Sequence, residues 1–79
     1  MQEREIKVKK NVDPSLMALL VQKASEYSSH ISMVLGEKTA NAKSIMGLIS
    51  LGITEGQSVK ILAKGDDANE AVKAFDNLL

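Results

Sequence analysis

The sequence predicts an α+β sandwich with the element order β-α-β-β-α-β-α. Three observations predict it. Apolar and polar residues alternate with a period of two in short stretches, first at Glu5–Lys9, which marks strands. Apolar residues recur at helical spacing in three segments, each behind a residue suited to open a helix. Three helices are too few to cover both faces of a sheet, so they gather on one face and leave the other to solvent.

Each element follows from its residues. In Glu5-Ile6-Lys7-Val8-Lys9, Ile6 and Val8 face the core. Asn11 to Asp13 break the strand. Asp13 then precedes Pro14, and the pair suits a helix start: the carboxylate accepts from free backbone N–H groups, and proline at the first helical position gives up no bond. Leu16, Leu20, Ala24 and Tyr27 form one stripe, with Met17 and Leu19 beside it, so a helix is expected from Pro14 to Tyr27. Ser28-Ser29-His30 reads as a turn, and Ile31–Leu35 as the second strand. Gly36-Glu37-Lys38 turns the chain into a short returning strand, Thr39–Asn41. Ser44 caps a short helix, Ile45 to Leu51 or Gly52, where glycine is a suitable stop. After the loop Thr54–Gln57, Ser58–Ala63 forms a long strand with Val59 and Ile61 on one face. Gly65-Asp66-Asp67 is a turn plus cap. The last helix runs from Asp67 to Leu79, with Ala71, Val72, Phe75, Leu78 and Leu79 inward.

Composition bounds the functional classes. Seventy-nine residues without repeat, linker or low-complexity stretch are read as one domain, residues 1–79. A chain of this length buries only about 60–65% of its unfolded surface, so its stability is expected to be marginal. Cysteine is absent, which removes disulfides and thiolate metal sites and makes the cytoplasm the default compartment. No apolar run approaches the roughly 20 residues of a membrane span, and Met1–Glu5 does not read as a secretory signal. A formal net charge of zero offers no basic surface for nucleic acid.

The run Asn41-Ala42-Lys43-Ser44-Ile45-Met46-Gly47, continued as Leu48-Ile49-Ser50-Leu51-Gly52, resembles the regulatory-serine segment of the HPr family, the phosphocarriers of the bacterial sugar phosphotransferase system. The resemblance extends through Leu20–Ser25 and along nearly the whole chain. It implies the HPr fold: an open-faced sandwich with an antiparallel four-stranded sheet and helices on one face. It also exposes a departure. The stretch that holds the family's phosphoacceptor histidine and its arginine reads Asn11-Val12-Asp13-Pro14-Ser15-Leu16, with Asp13 at the histidine position and Ser15 at the arginine position. Phosphorelay needs a ring nitrogen as nucleophile, and Asp13 has none. The guanidinium that would clamp phosphate bidentately is also gone. In this the chain is similar to the Crh type of the family, which likewise lacks the carrier histidine.

Each candidate residue has a plain role beside the functional one. Ser44 serves as an N-cap; the resemblance implies that it is also a phosphorylation site for an HPr kinase/phosphorylase. The modified form would then act on a LacI-type transcription regulator. Ile45, Met46, Leu48 and Ile49 exceed what a two-turn helix can bury on one stripe. Some are expected at the surface as a docking patch, with Met46 and Ile49 the exposed pair. Lys43 is either a solvated charge or a partner for phosphate or for an acidic group on the kinase. Asp13 is an N-cap, a fixed charge that imitates phosphohistidine, or an acyl-phosphate acceptor; the last would need a metal and a carboxylate cluster that the sequence does not present. His30 is a lone, solvated histidine. No cofactor or metal is called for, and the chain is read as a non-enzyme. Two alternatives stay open: a divergent phosphocarrier using another acceptor, and a degenerate interaction-only paralogue that pairs with itself as a homodimer.

Overall fold

The computed structural model describes residues 1–79 and carries the expected order: β1 (Gln2–Lys7), α1 (Pro14–Ser25), β2 (His30–Leu35), β3 (Lys38–Asn41), α2 (Ile45–Leu51), β4 (Ser58–Lys64) and α3 (Ala68–Leu78). The strands form one four-stranded sheet in the order β1-β4-β2-β3. Every neighbouring pair is antiparallel. The period-two pattern sends Ile6, Ile31, Met33, Ala40, Val59, Ile61 and Ala63 inward, where they are buried. The helices cover that face with Leu20 and Ala24 of α1, Leu48 and Leu51 of α2, and Ala68, Ala71, Val72 and Phe75 of α3. With two aromatic residues in the chain, aliphatic side chains fill most of this core, and Phe75 is its largest fully buried member.

Several boundaries differ from the sequence expectation, each for a physical reason. β1 starts earlier and ends at Lys7, because its pairing runs from Gln2 opposite Ala63 to Lys7 opposite Ser58. Its limits are set by the length of β4. Val8 continues the contact through irregular bonds, donating to the Gln57 carbonyl and accepting from the Gly56 N–H at 2.8 Å each. At the other end of the fold, Lys9 donates to the Leu79 carbonyl at 3.0 Å. α1 ends at Ser25, two residues short of Tyr27. Its last turn tightens, as Glu26 and Tyr27 donate to carbonyls three residues back, at 3.1 and 3.2 Å. His30 belongs to β2, not to the turn before it; it is exposed and lies opposite Lys64. The Arg4–Asp76 ion pair, 2.8 Å and half-exposed, joins β1 to α3 and contributes about 0–1 kcal/mol.

Asp67 stands at the N-cap position of α3 but makes no capping bond. Its carboxylate is occupied elsewhere. It accepts from the Ser28 N–H at 2.8 Å, the Ser29 N–H at 2.9 Å and the Ser29 hydroxyl. Ser29 is the one buried polar residue of the chain, and this clasp satisfies it. The Ser29 hydroxyl, followed by the Ser28 N–H, holds the Asp67 carboxyl below its ordinary value of 3.8. The depressed pKa sets the sign of the linkage: the stabilisation is fully present above the unfolded-state value and is lost as pH falls through the folded one. Asp67→Asn is therefore expected to lower the urea midpoint at neutral pH and to flatten its fall as pH drops below the ordinary carboxylate value. An unchanged acid slope in the variant would remove Asp67 from that role.

Candidate functional site

The turn before α2 builds the site. Asn41 folds it, accepting from the Lys43 N–H through Oδ1 at 2.9 Å and from the Ser44 N–H through its carbonyl at 3.0 Å. Ser44 is thereby set in an extended conformation, φ −114° and ψ 115°, as the N-cap of α2. Its hydroxyl accepts from the Gly47 N–H at 3.1 Å, and its carbonyl accepts from Leu48 at 3.1 Å. The residue is partly exposed. A Cβ on Gly47 would lie 3.4 Å from Ser44 Oγ, so glycine keeps the flank of the hydroxyl open. The Ser44 hydroxyl bonds no histidine or carboxylate. It is an alcohol without its own base, able to accept a group only when a partner removes its proton.

The rest of α2 divides as its length requires. Leu48 and Leu51 go to the core, while Ile45, Met46 and Ile49 stay 39%, 69% and 53% exposed. The exposed pair expected from the sequence, Met46 and Ile49, is present, with Ile45 beside Ser44 as a third member. Leu19 of α1 is also exposed, at 42%. The sequence reading set Leu19 beside the inward stripe; its position next to Leu20 turns it about 100° from that residue and out of the core. A groove of about 390 Å³ between β3 and α2 is lined by Lys38, Thr39, Ala40, Gly47, Ser50 and Leu51. It holds no acid–base pair.

Lys43 is neither a free solvated charge nor turned wholly outward. Its Nζ donates to the Tyr27 carbonyl at 2.9 Å in a part-buried setting. That bond joins the serine's neighbour to the segment that leaves α1. It spans 16 residues and carries no local sequence signal.

Asp13 lies at the mouth of α1, and its Oδ1 accepts from the Leu16 N–H at 2.8 Å, with Pro14 in the first turn. Capping is what the structure shows it doing. Ser15 is exposed in the same turn. No group of three or more His, Cys, Asp or Glu side chains is close enough to hold a metal ion, and no helix is long and apolar enough to cross a membrane.

Comparison with known proteins identifies the family and agrees with the fold. The family model described as PTS-HPr, the "PTS HPr component phosphorylation site", matches residues 2–79. The HPr-like protein Crh of Halalkalibacterium halodurans is 40% identical over 71 residues, 90% of this chain and 84% of that protein. The crystal structure of HPr from Thermoanaerobacter tengcongensis superposes with a TM-score of 0.95 at 45% identity, covering 99% of this chain and 90% of that one. Crh of Bacillus subtilis, in a crystal structure described as a swapped, intertwined dimer, gives a TM-score of 0.79 at 35% identity, covering 99% of this chain and 90% of that one. With the fold and the family match in agreement, the chain belongs to the HPr family and is a Crh-like member of it.

Proposed function

We propose that this chain is a non-catalytic regulatory protein of the cytoplasm, phosphorylated on Ser44 by an HPr kinase/phosphorylase and acting in carbon catabolite regulation through a LacI-type transcription regulator. The observation that carries the reading is the pairing of a partly exposed N-cap hydroxyl with an exposed apolar surface on the same helix. In the proposed step, Ser44 Oγ attacks the terminal phosphorus of a nucleoside triphosphate held by the kinase. The serine proton passes to a base of the kinase, and nucleoside diphosphate leaves. The product carries about −1.5 to −2 charges, which suit the positive end of a helix. The fold therefore tolerates the group, and the added charge is available to partners. Ile45, Met46 and Ile49 supply the docking area; methionine adapts to differing partners.

The phosphocarrier alternative finds no support at Asp13, whose carboxylate caps α1. Self-association is a second reading. It rests on the swapped dimer of the Bacillus subtilis relative and is compatible with regulation through Ser44.

Incubation with HPr kinase and ATP, followed by mass measurement, tests the proposal. One phosphate is expected on the wild type and none on Ser44→Ala. The alanine variant is also expected to lose about 0.5–2 kcal/mol with the cap, so Ser44→Asn, which keeps a capping oxygen, serves as the folded control. Phosphoenolpyruvate with the general transfer enzyme is expected to leave Asp13 unlabelled. Absence of phosphate on the wild type, or equal phosphate on Ser44→Asn, would end the proposal.

A further inference from the structure

We infer that Lys43 is a latch that senses phosphate on Ser44 and passes its presence to the connection between α1 and β2. The inference rests on the reading of Ser44 as a phosphate acceptor and adds a consequence inside the protein itself.

Three observations carry it. First, the Lys43 ammonium is held by one neutral acceptor, the Tyr27 carbonyl at 2.9 Å. The ion pairs of the fold are Arg4–Asp76, Lys23–Glu26 and Lys60–Glu3, so Lys43 has no carboxylate partner. Second, Lys43 is the residue next to Ser44, and the turn fixes its backbone through Asn41 Oδ1. The flexible four-carbon stem can carry the ammonium from one acceptor to a nearby one without moving the backbone. Third, few other hydrogen bonds anchor the segment that Lys43 holds: Tyr27 donates to the Ala24 carbonyl at 3.2 Å. Asp67, just before α3, accepts from Ser28 at 2.8 Å and from Ser29 at 2.9 Å.

Phosphate on Ser44 changes the balance. Both bonds have an ionised donor, but the phosphate adds a charge–charge attraction for the ammonium that the neutral Tyr27 carbonyl does not offer. The ammonium leaves Tyr27 for the phosphate. The Tyr27–Ser29 segment then loses one anchor, keeps its bonds to the Ala24 carbonyl and to Asp67, and opens more often. A modification on one helix thus loosens the junction where α1, β2 and the start of α3 meet.

The test installs phosphoserine at position 44 during translation, so it needs no kinase, and a failed kinase assay leaves it valid. Phosphorus NMR titration is run on the phosphorylated wild type, Lys43→Met and Lys43→Arg. The phosphate pKa, near about 6 for a free phosphoserine, is expected to be lower in the wild type than in Lys43→Met by about 0.5, a threefold effect on proton affinity. Lys43→Arg is expected to restore the lower value. Hydrogen exchange at the Ser28 and Ser29 amides is expected to rise several-fold on phosphorylation of the wild type. In Lys43→Met it is expected to be fast already and insensitive to phosphate. Equal phosphate titrations in wild type and Lys43→Met would overturn the inference, as would Ser28 and Ser29 exchange that ignores the phosphate in the wild type.

Discussion

Gly65→Ala is expected to destabilise the protein by about 3 kcal/mol, the combined effect of a strained backbone and a steric clash. At this chain length that corresponds to a fall in Tm of roughly 12–24 °C. Gly65 sits at φ +149°, a conformation that side-chain-bearing residues rarely adopt, and an added Cβ would lie 2.6 Å from Ser29 Oγ and 2.8 Å from Ser29 Cα. The second contact is the decisive one. A hydroxyl can rotate, but Cα is backbone and moves only with its turn. Relief requires the turn before α3 to withdraw from the turn before β2, which breaks the Asp67 clasp. Gly36→Ala separates the two causes: φ is +62° there and nothing lies within 4 Å of the added carbon. That variant is expected to lose only the conformational part, about 1 kcal/mol. Thermal unfolding of both decides the matter, and equal losses would show that close packing against Ser29 contributes nothing.

Met46→Asp combined with Ile49→Asp is expected to reduce kcat/KM for phosphorylation of Ser44 at least tenfold, about 1.4 kcal/mol of lost interaction. Both side chains project from α2, so their replacement opens no cavity in the core. The folding penalty is expected to stay within about 1 kcal/mol, the lower helix propensity of aspartate twice over. The phosphoacceptor and its Gly47 bond are untouched. A double variant that folds normally and is phosphorylated at the wild-type rate would show that the kinase does not read this face. The two predictions probe different things: one asks what keeps the two turns together, the other what a partner recognises.

Much of this arrangement was legible in the residues themselves. The three helices and four strands follow from local periodicity, and Ser44 and Asp13 are the expected caps of α2 and α1. The exposure of Met46 and Ile49 follows from counting apolar side chains on two turns of helix. What escaped was information held at long range. The beginning of β1 carries no apolar signal at Gln2 and Glu3, because its register is imposed by β4. Asp67 reads as an ordinary helix opener, yet its carboxylate is taken by residues 38 and 39 positions away. Lys43 reads as a surface charge until the Tyr27 carbonyl is brought beside it. Leu19 reads as a neighbour of the inward stripe through Leu16 and Leu20, yet it is 42% exposed. Short-range patterns specify which elements form; contacts between distant turns are decided by how those elements dock.

The strand order β1-β4-β2-β3 also constrains the birth of the molecule. The first strand made has a single neighbour, and that neighbour is the last strand to leave the ribosome. During synthesis β2 and β3 can form their hairpin at once, whereas Gln2–Lys7 waits unpaired until Ser58–Lys64 has emerged. Closing so large a loop carries an entropic cost that slows folding. The N-terminal strand is thus the natural point of late assembly, and its pairing edge stays open until Ser58–Lys64 arrives.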